Sequence, residues 1–179
     1  MSITGTSEKK TGRIRLGMVG GGQGAFIGAV HRLAARMDDH YEFVSGALSS
    51  DAARSKASGE ELGLAPDRIY GDFREMAKAE AKRKDGIEAV SIVTPNHMHF
   101  PAAKAFIEAG IHVICDKPLS LNLKEALALE KLLAKNKNVV FALTHNYSGY
   151  PMIRQARAMV AAGELGDIRV VQGEYPQDW

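Results

Sequence analysis

Arg15-Leu16-Gly17-Met18-Val19-Gly20-Gly21-Gly22-Gln23-Gly24-Ala25-Phe26-Ile27-Gly28 is the stretch whose reading decides the fold. An apolar run from Ile14 to Val19 enters Gly20, Gly21, Gly22 and Gly24, then a segment in which Ile27, Val30, Ala34 and Met37 recur at helical spacing. The pattern predicts a strand, a tight glycine turn and a helix N-terminus. The free N–H groups and positive dipole end of such a helix attract an anion, and glycine lets a pyrophosphate meet the backbone without an intervening Cβ. Gly20-x-Gly22-x-x-Ala25 fits the dinucleotide fingerprint with alanine in third place. Gly20, Gly22, Gln23, Ala25 and Phe26 are therefore the expected cofactor contacts of this turn.

Downstream the same alternation repeats. Tyr41 to Leu48 reads as a second strand ending in Ser49-Ser50-Asp51, and Asp51 to Leu62 is helix-compatible up to Gly63 and Pro66. Asp72 with Glu75 resembles a capping box opening a short helix toward Lys84. Ile87 to Val93 is the clearest buried strand and stops at Thr94-Pro95-Asn96-His97, where proline prevents its continuation. Pro101 starts a helix that Gly110 ends, His112 to Cys115 is a short strand, and Asn122 with Glu125 opens a helix carrying Ala126, Leu129 and Leu133 on one face. Val139 to Leu143, Pro151 to Ala162 and Ile168 to Tyr175 read as strand, helix and strand. Near-continuous apolar strands alternating with helices predict an α/β fold, a doubly wound, mostly parallel sheet with helices on both faces. The expected organisation is a polar lead-in over 1–12, a nucleotide-binding domain over 13–164, and from 165 the first strand of a truncated α+β second domain.

Composition narrows the ligand. The chain has 179 residues, is 45% hydrophobic and 25% charged, and carries a formal net charge of +2. Its Lys and Arg are interleaved with acids, so neither nucleic acid nor a membrane surface is the expected partner. A single cysteine, Cys115, excludes an internal disulfide framework and reads as a buried strand residue; Cys/His clusters at metal spacing are absent from the sequence, and no metal is expected. With no apolar leader and no run of membrane-spanning length, the expected location is the cytoplasm and the expected ligand a small molecule.

In an open parallel sheet, ligands lie beyond the carboxyl ends of the strands. Five polar clusters fall at those ends: Gly20 to Ala25, Ser49 to Asp51, Thr94 to His99, Asp116 to Pro118, and His145 to Tyr147. Thr94 and Pro95 are expected to border the cofactor, and Asn146 to face the same cleft. An acid about 20 residues past the glycines discriminates for NAD, whereas small polar and basic residues there accept a 2′-phosphate. Ser49 and Ser50 with Arg54 offer the second arrangement and Asp51 the first. The cofactor is NAD or NADP, with the balance toward NADP.

Thr94-Pro95-Asn96-His97-Met98-His99, followed by Ala109-Gly110-Ile111-His112-Val113-Ile114-Cys115-Asp116-Lys117-Pro118-Leu119, resembles the glucose–fructose oxidoreductase/inositol dehydrogenase family (Gfo/Idh/MocA). The resemblance runs from Ile14 through His145-Asn146-Tyr147 and the Gly163-Glu164-Leu165-Gly166 turn. It implies an NAD(P)-dependent oxidoreductase acting on a sugar, cyclitol or related polyol. Lys117 is then the catalytic residue that hydrogen-bonds the hydroxyl being oxidised, and Asn96, His99 and Asp116 line the nicotinamide and substrate side. The family carries Glu-Lys-Pro where this sequence has Asp116-Lys117-Pro118, one methylene shorter in the acid. Relatives associate as oligomers and place a further Asp and a proton-transferring His in a second domain, so these 179 residues are expected to bind cofactor with little turnover. The rival expectation is a non-catalytic nucleotide-binding sensor of the same fold. Lys117 argues for the enzyme, because a sensor needs no ammonium at the hydride-transfer point. A reductase of imines or aldehydes is a third reading.

Overall fold

The computed structural model describes residues 12–177. Apart from Gly12, the lead-in expected over 1–12 lies outside the described residues. Five strands, β1 (Ile14–Gly20), β2 (Tyr41–Ala47), β3 (Ala89–Val93), β4 (His112–Cys115) and β5 (Phe141–Leu143), form one wholly parallel sheet in the order β2-β1-β3-β4-β5. Between them run α1 (Phe26–Met37), α2 (Ala52–Glu61), α3 (Phe73–Glu80), α4 (His99–Glu108) and α5 (Leu123–Lys135). The chain moves outward from β1 to β2, then returns past β1 to β3. That reversal opens a crevice beyond the carboxyl ends of β1 and β3, where an open α/β sheet holds its ligand.

Side chains alternate between the two faces of the sheet, and two apolar clusters form on them. Val90 and Ile92 of β3 and Val113 and Cys115 of β4 pack with Met76 of α3, Phe106 and Ile107 of α4 and Leu129 of α5. Met18 of β1 and Val93 of β3 face the other way, against Leu48, Leu64 and Ile27 of α1. All five residues of β3 are buried, as its unbroken apolar run requires in a strand covered on both faces. Two helix starts follow their predicted chemistry, Asp72 accepting from Arg74 N at 2.7 Å and Asn122 from Glu125 N at 3.0 Å, and Asp51 also caps its helix, accepting from Arg54 N at 2.7 Å. The Glu125 carboxylate reaches back to Leu121 N at 3.0 Å. α4 begins at His99, so Pro101 sits inside its first turn instead of opening it.

Two features depart from the sequence pattern. α1 turns Ile27, Gly28, His31 and Arg32 toward the sheet and leaves Val30, Ala34 and Met37 exposed, so only Ile27 of the expected apolar stripe is packed. Gly28 causes this rotation: a Cβ built on it would stand 2.5 Å from Gly21 O, so this is the face on which α1 comes closest to the glycine loop. The second feature is a buried charge cluster. Glu80 is fully buried on α3 and accepts from Arg68 Nε at 2.9 Å and Nη2 at 2.7 Å, Tyr70 OH at 2.9 Å and Ile87 N at 3.1 Å, with Ser45 Oγ also 3.0 Å away. Burial together with the hydrogen bond to Glu80 pushes the Tyr70 hydroxyl pKa up to about 12.

A second compact unit starts at His145. It contains the turn Asn146–Gly149 and α6 (Pro151–Ala161), which has proline in its first turn. The strand expected over 168–175 is not formed, because a strand exists only as a pairing and this segment has no ladder partner among the described residues. Among the described residues, no helix is long and apolar enough to cross a membrane.

Candidate functional site

A cavity of about 650 Å³ opens at the carboxyl ends of β1, β2 and β3. Gly20, Gly22, Gln23 and Ala25 line its floor, together with Gly21 and Gly24. Gly20, Gly21 and Gly24 have φ of 79°, 73° and 77°, a region that side chains other than glycine rarely adopt. Gly22 N donates to Leu48 O at 3.1 Å and Gln23 N to Ser58 Oγ at 3.0 Å, which fixes the turn against the end of β2 and α2. Ala25 precedes α1 without capping it, and the first turn of α1 holds no acid. The opening N–H groups of α1 therefore meet no anionic side chain, as an anion seat requires. The fingerprint glycine that lets helix and strand approach closely is Gly28 and not the expected Ala25, since Gly28 is the residue packed on Gly21. Gly28→Ala forces backbone against backbone. We expect dinucleotide affinity to fall at least about tenfold and the melting temperature to drop, overpacking costing about 1–3 kcal/mol; a fluorescence titration beside a thermal melt checks both.

The second wall is formed by Ser49, Ser50 and Arg54 from the end of β2 and the start of α2. Asp51 is absent from the lining because its carboxylate caps α2. Sequence reading missed the third wall, Gly71 to Arg74, where Asp72 registered only as a helix cap. Arg74 adds a second cation to that of Arg54, and its guanidinium lies 4.3 Å above the Phe73 ring. A cation inside a first helical turn, two residues past the Asp72 cap that follows Gly71, was the available signal.

From the end of β3, Thr94 and Pro95 line the cavity, joined by His97 and Met98. Thr94 Oγ1 is buried and has no partner among the described residues, an orphaned hydroxyl at the ligand's edge. Expectation and structure part at the neighbouring positions. Asn96 is exposed, outside the cavity lining, and does not cap α4. His97 and Met98, neither of them expected at the site, line the cavity from the single turn Asn96–Met98. His99 is only 1% exposed and both its ring nitrogens lie on backbone carbonyls, Nδ1 on Pro118 O at 2.5 Å and Nε2 on Thr94 O at 3.0 Å. Those contacts occupy the ring that was expected to face the cofactor. Phe26 is 82% exposed and stands outside the lining, on the side of α1 turned away by Gly28.

The loop after β4 carries Lys117, exposed and without a hydrogen bond or ion pair among the described residues, followed by a cis peptide to Pro118. Asp116 does not line the cavity. Its Oδ1 accepts from Thr144 Oγ1 at 2.6 Å and lies 3.9 Å from His31 Nε2. Burial lowers the His31 pKa, with Asp116 opposing the shift, and burial raises the Cys115 thiol to about 12, leaving it protonated and unreactive near neutrality. Asn146 belongs to the second unit, where its Nδ2 donates to Tyr150 OH at 3.3 Å; His145 there sits edge-on to Tyr147 with ring centroids 6.2 Å apart. No group of three or more metal-ligating side chains occurs among the described residues.

A glycine floor that cannot accept a Cβ, an open helix start, two cations and an unpartnered hydroxyl fit a dinucleotide. The comparisons point the same way. Residues 14–156 match the family described as oxidoreductases with an NAD-binding Rossmann fold. The chain is 44% identical over 163 residues to the uncharacterized oxidoreductase YfiI of Bacillus subtilis, covering 90% of this chain and 41% of that protein. It is 32% identical over 167 residues to the levoglucosan dehydrogenase of Pseudarthrobacter phenanthrenivorans, covering 93% and 42%. Among solved structures it resembles an oxidoreductase from Sinorhizobium meliloti, with a TM-score of 0.88, 64% identity, and coverage of 93% of this chain and 46% of that one. An inositol dehydrogenase homologue from Azotobacter vinelandii, complexed with NADH and myo-inositol, matches with a TM-score of 0.84 and 46% identity over 89% of this chain and 42% of that one. The chain thus spans less than half the length of each of these relatives. With its fold, glycine cavity and 14–156 match in agreement, the chain belongs to the Gfo/Idh/MocA oxidoreductase family and carries its NAD-binding Rossmann domain.

Proposed function

We propose that this chain is the cofactor-binding part of a dehydrogenase that moves a hydride between nicotinamide and a carbinol carbon of a sugar, cyclitol or related polyol. The observation that carries the reading is Lys117, an exposed ammonium without a partner among the described residues, at the same edge of the sheet as the glycine cavity. The dinucleotide, when bound, supplies hydride acceptance and donation. The chain's residues do the rest. The glycine turn and the start of α1 seat the pyrophosphate, and Thr94 Oγ1 offers a hydrogen bond at the end of β3. Lys117 donates a hydrogen bond to the substrate oxygen and stabilises negative charge on it as its proton departs. The proton's acceptor belongs, in this reading, to the second domain, which 165–179 begins and longer relatives complete. This fragment accordingly binds dinucleotide with little turnover, and the whole protein works in the cytoplasm as an oligomer. Dinucleotide titration of this chain, beside a polyol panel with the longer protein, tests the reading; absence of dinucleotide binding, or turnover confined to imines or aldehydes, sinks it.

Cofactor choice is the finer part of the proposal. Ser49, Ser50 and Arg54, with Arg74 on the adjoining wall, suit a ribose 2′-phosphate, while the Asp51 carboxylate that would take the ribose diol is engaged by Arg54 N. Arg54→Ala is expected to weaken NADP binding roughly tenfold or more, as loss of a charge-assisted hydrogen bond of about 1.5–3 kcal/mol implies, and to leave NAD affinity unchanged. Equal changes for the two cofactors in parallel titrations would remove Arg54 from this role.

A further inference from the structure

We propose that Lys117 is aimed by a two-sided clamp, His99 on one flank and the Thr144–Asp116 pair on the other, made of positioning residues that touch neither substrate nor cofactor. The inference rests on the reading of Lys117 as the group that meets the substrate oxygen. Lys117 has no hydrogen bond or ion pair of its own among the described residues, so its direction is inherited from the backbone on either side. A lysine stem is long and rotatable, and displacement of about 1 Å at a reacting group can cost on the order of 10²-fold in rate. An enzyme that leaves such a side chain unpartnered must hold its main chain firmly.

Both neighbours of Lys117 are held. On the far side, the Pro118 carbonyl meets Nδ1 of His99 at 2.5 Å, and Nε2 of the same ring lies 3.0 Å from the Thr94 carbonyl. His99 is 1% exposed at the start of α4, so its ring is a buried strut between the Lys117 loop and the end of β3 that walls the cavity. On the near side, Asp116 N donates to Ile92 O at 2.9 Å, and its carboxylate accepts from Thr144 Oγ1 at 2.6 Å. Thr144 is itself pinned, its N donating to Cys115 O at 2.9 Å. His31 backs the same carboxylate from α1, with Nε2 at 3.9 Å from Oδ1 and Nδ1 at 2.8 Å from Ser91 Oγ. The aspartate thus turns along the strand ends toward Thr144, and the residue between the two anchored positions is the free lysine.

The test measures rigidity and rate separately. Amide ¹⁵N order parameters at Lys117 and Leu119 are recorded on this chain for the native form, His99→Asn, Thr144→Val and Thr144→Ser. Asparagine is too short to span both carbonyls, valine removes the hydroxyl without changing shape, and serine keeps it. We expect about 0.85 for the native chain and Thr144→Ser, and below about 0.6 for the other two, with the β1 amides of Leu16 and Val19 unchanged. In the longer protein, His99→Asn and Thr144→Val should lower kcat roughly 10²-fold while the KM for dinucleotide stays put. Should His99→Asn lose the β1 signals as well, Thr144→Val against Thr144→Ser decides alone. Loop amides that remain rigid in the folded variants, or an unchanged kcat, overturn the clamp while leaving the role of Lys117 intact. Full turnover in Lys117→Ala overturns that role, and the clamp with it.

Discussion

Lys117→Ala, introduced into the longer protein, should lower polyol turnover on the order of 10²–10³-fold while dinucleotide affinity stays unchanged. The magnitude is that of removing one preorganised donor from a developing oxyanion. The separation of effects comes from position. In the proposed site the glycine floor, the start of α1 and the two arginines would hold the dinucleotide, and Lys117 is not among the residues that line that cavity. Its ammonium carries no structural bond among the described residues, so the variant should fold and melt as the native protein does. Steady-state kinetics over a polyol panel, with a separate cofactor titration, read the two quantities. A variant that binds dinucleotide and turns over polyol at the native rate would remove Lys117 from the chemical step. If even the native protein shows no lysine-dependent turnover, the nucleotide-binding sensor becomes the better reading.

Glu80→Ala should cost the most stability. The carboxylate accepts both prongs of Arg68, the Tyr70 hydroxyl and Ile87 N, and it is fully buried. Its loss leaves the nearly buried Arg68 guanidinium with only the long Nη1 contacts to Asp85, and the buried Ile87 N–H without its acceptor. Removing one partner of such a pair costs about 3–5 kcal/mol, much more than the net worth of the pair itself. At about 2–4 °C per kcal/mol for a chain of this size, the melting temperature should fall by roughly 6–20 °C. Asp85, which also approaches Arg68 at 3.4 Å but is exposed, supplies the control, and Asp85→Ala should shift the midpoint much less. Equal shifts for the two variants in parallel thermal melts would show that burial of the pair is not what matters.

Much of the fold was legible because its signals are local. The five apolar runs, their polar ends and the caps at Asp72 and Asn122 depend on neighbours within about one helical turn, the range over which periodicity and capping act. The edge of the sheet that carries the site followed from the parallel run of its strands. The Thr94 to His99 segment shows where that reading stopped. Its six residues announce a ligand, yet which of them faces the cavity depends on one short turn and on a carbonyl 19 residues away that takes the His99 ring. The sequence points to His99 where the structure turns His97 to the cavity, because composition carries no information about side-chain direction in an irregular turn.

The glycine loop divides in the same way. By itself the sequence determined that a strand, a glycine turn and a helix start succeed one another from Ile14, that the sheet is parallel, and that Asp116-Lys117-Pro118 ends a strand. Only the tertiary structure decided that Gly28, not Ala25, meets Gly21, and so which face of α1 is covered. Only it placed Arg74 beside Arg54 on the cavity wall, closed Glu80 on Arg68, and strung His99 and Thr144 on either side of Lys117. Each of those outcomes depends on where two separate segments arrive relative to one another. That distance is set by the packing of the whole sheet and its helices, whereas hydrophobic period and turn chemistry fix only what adjacent residues do.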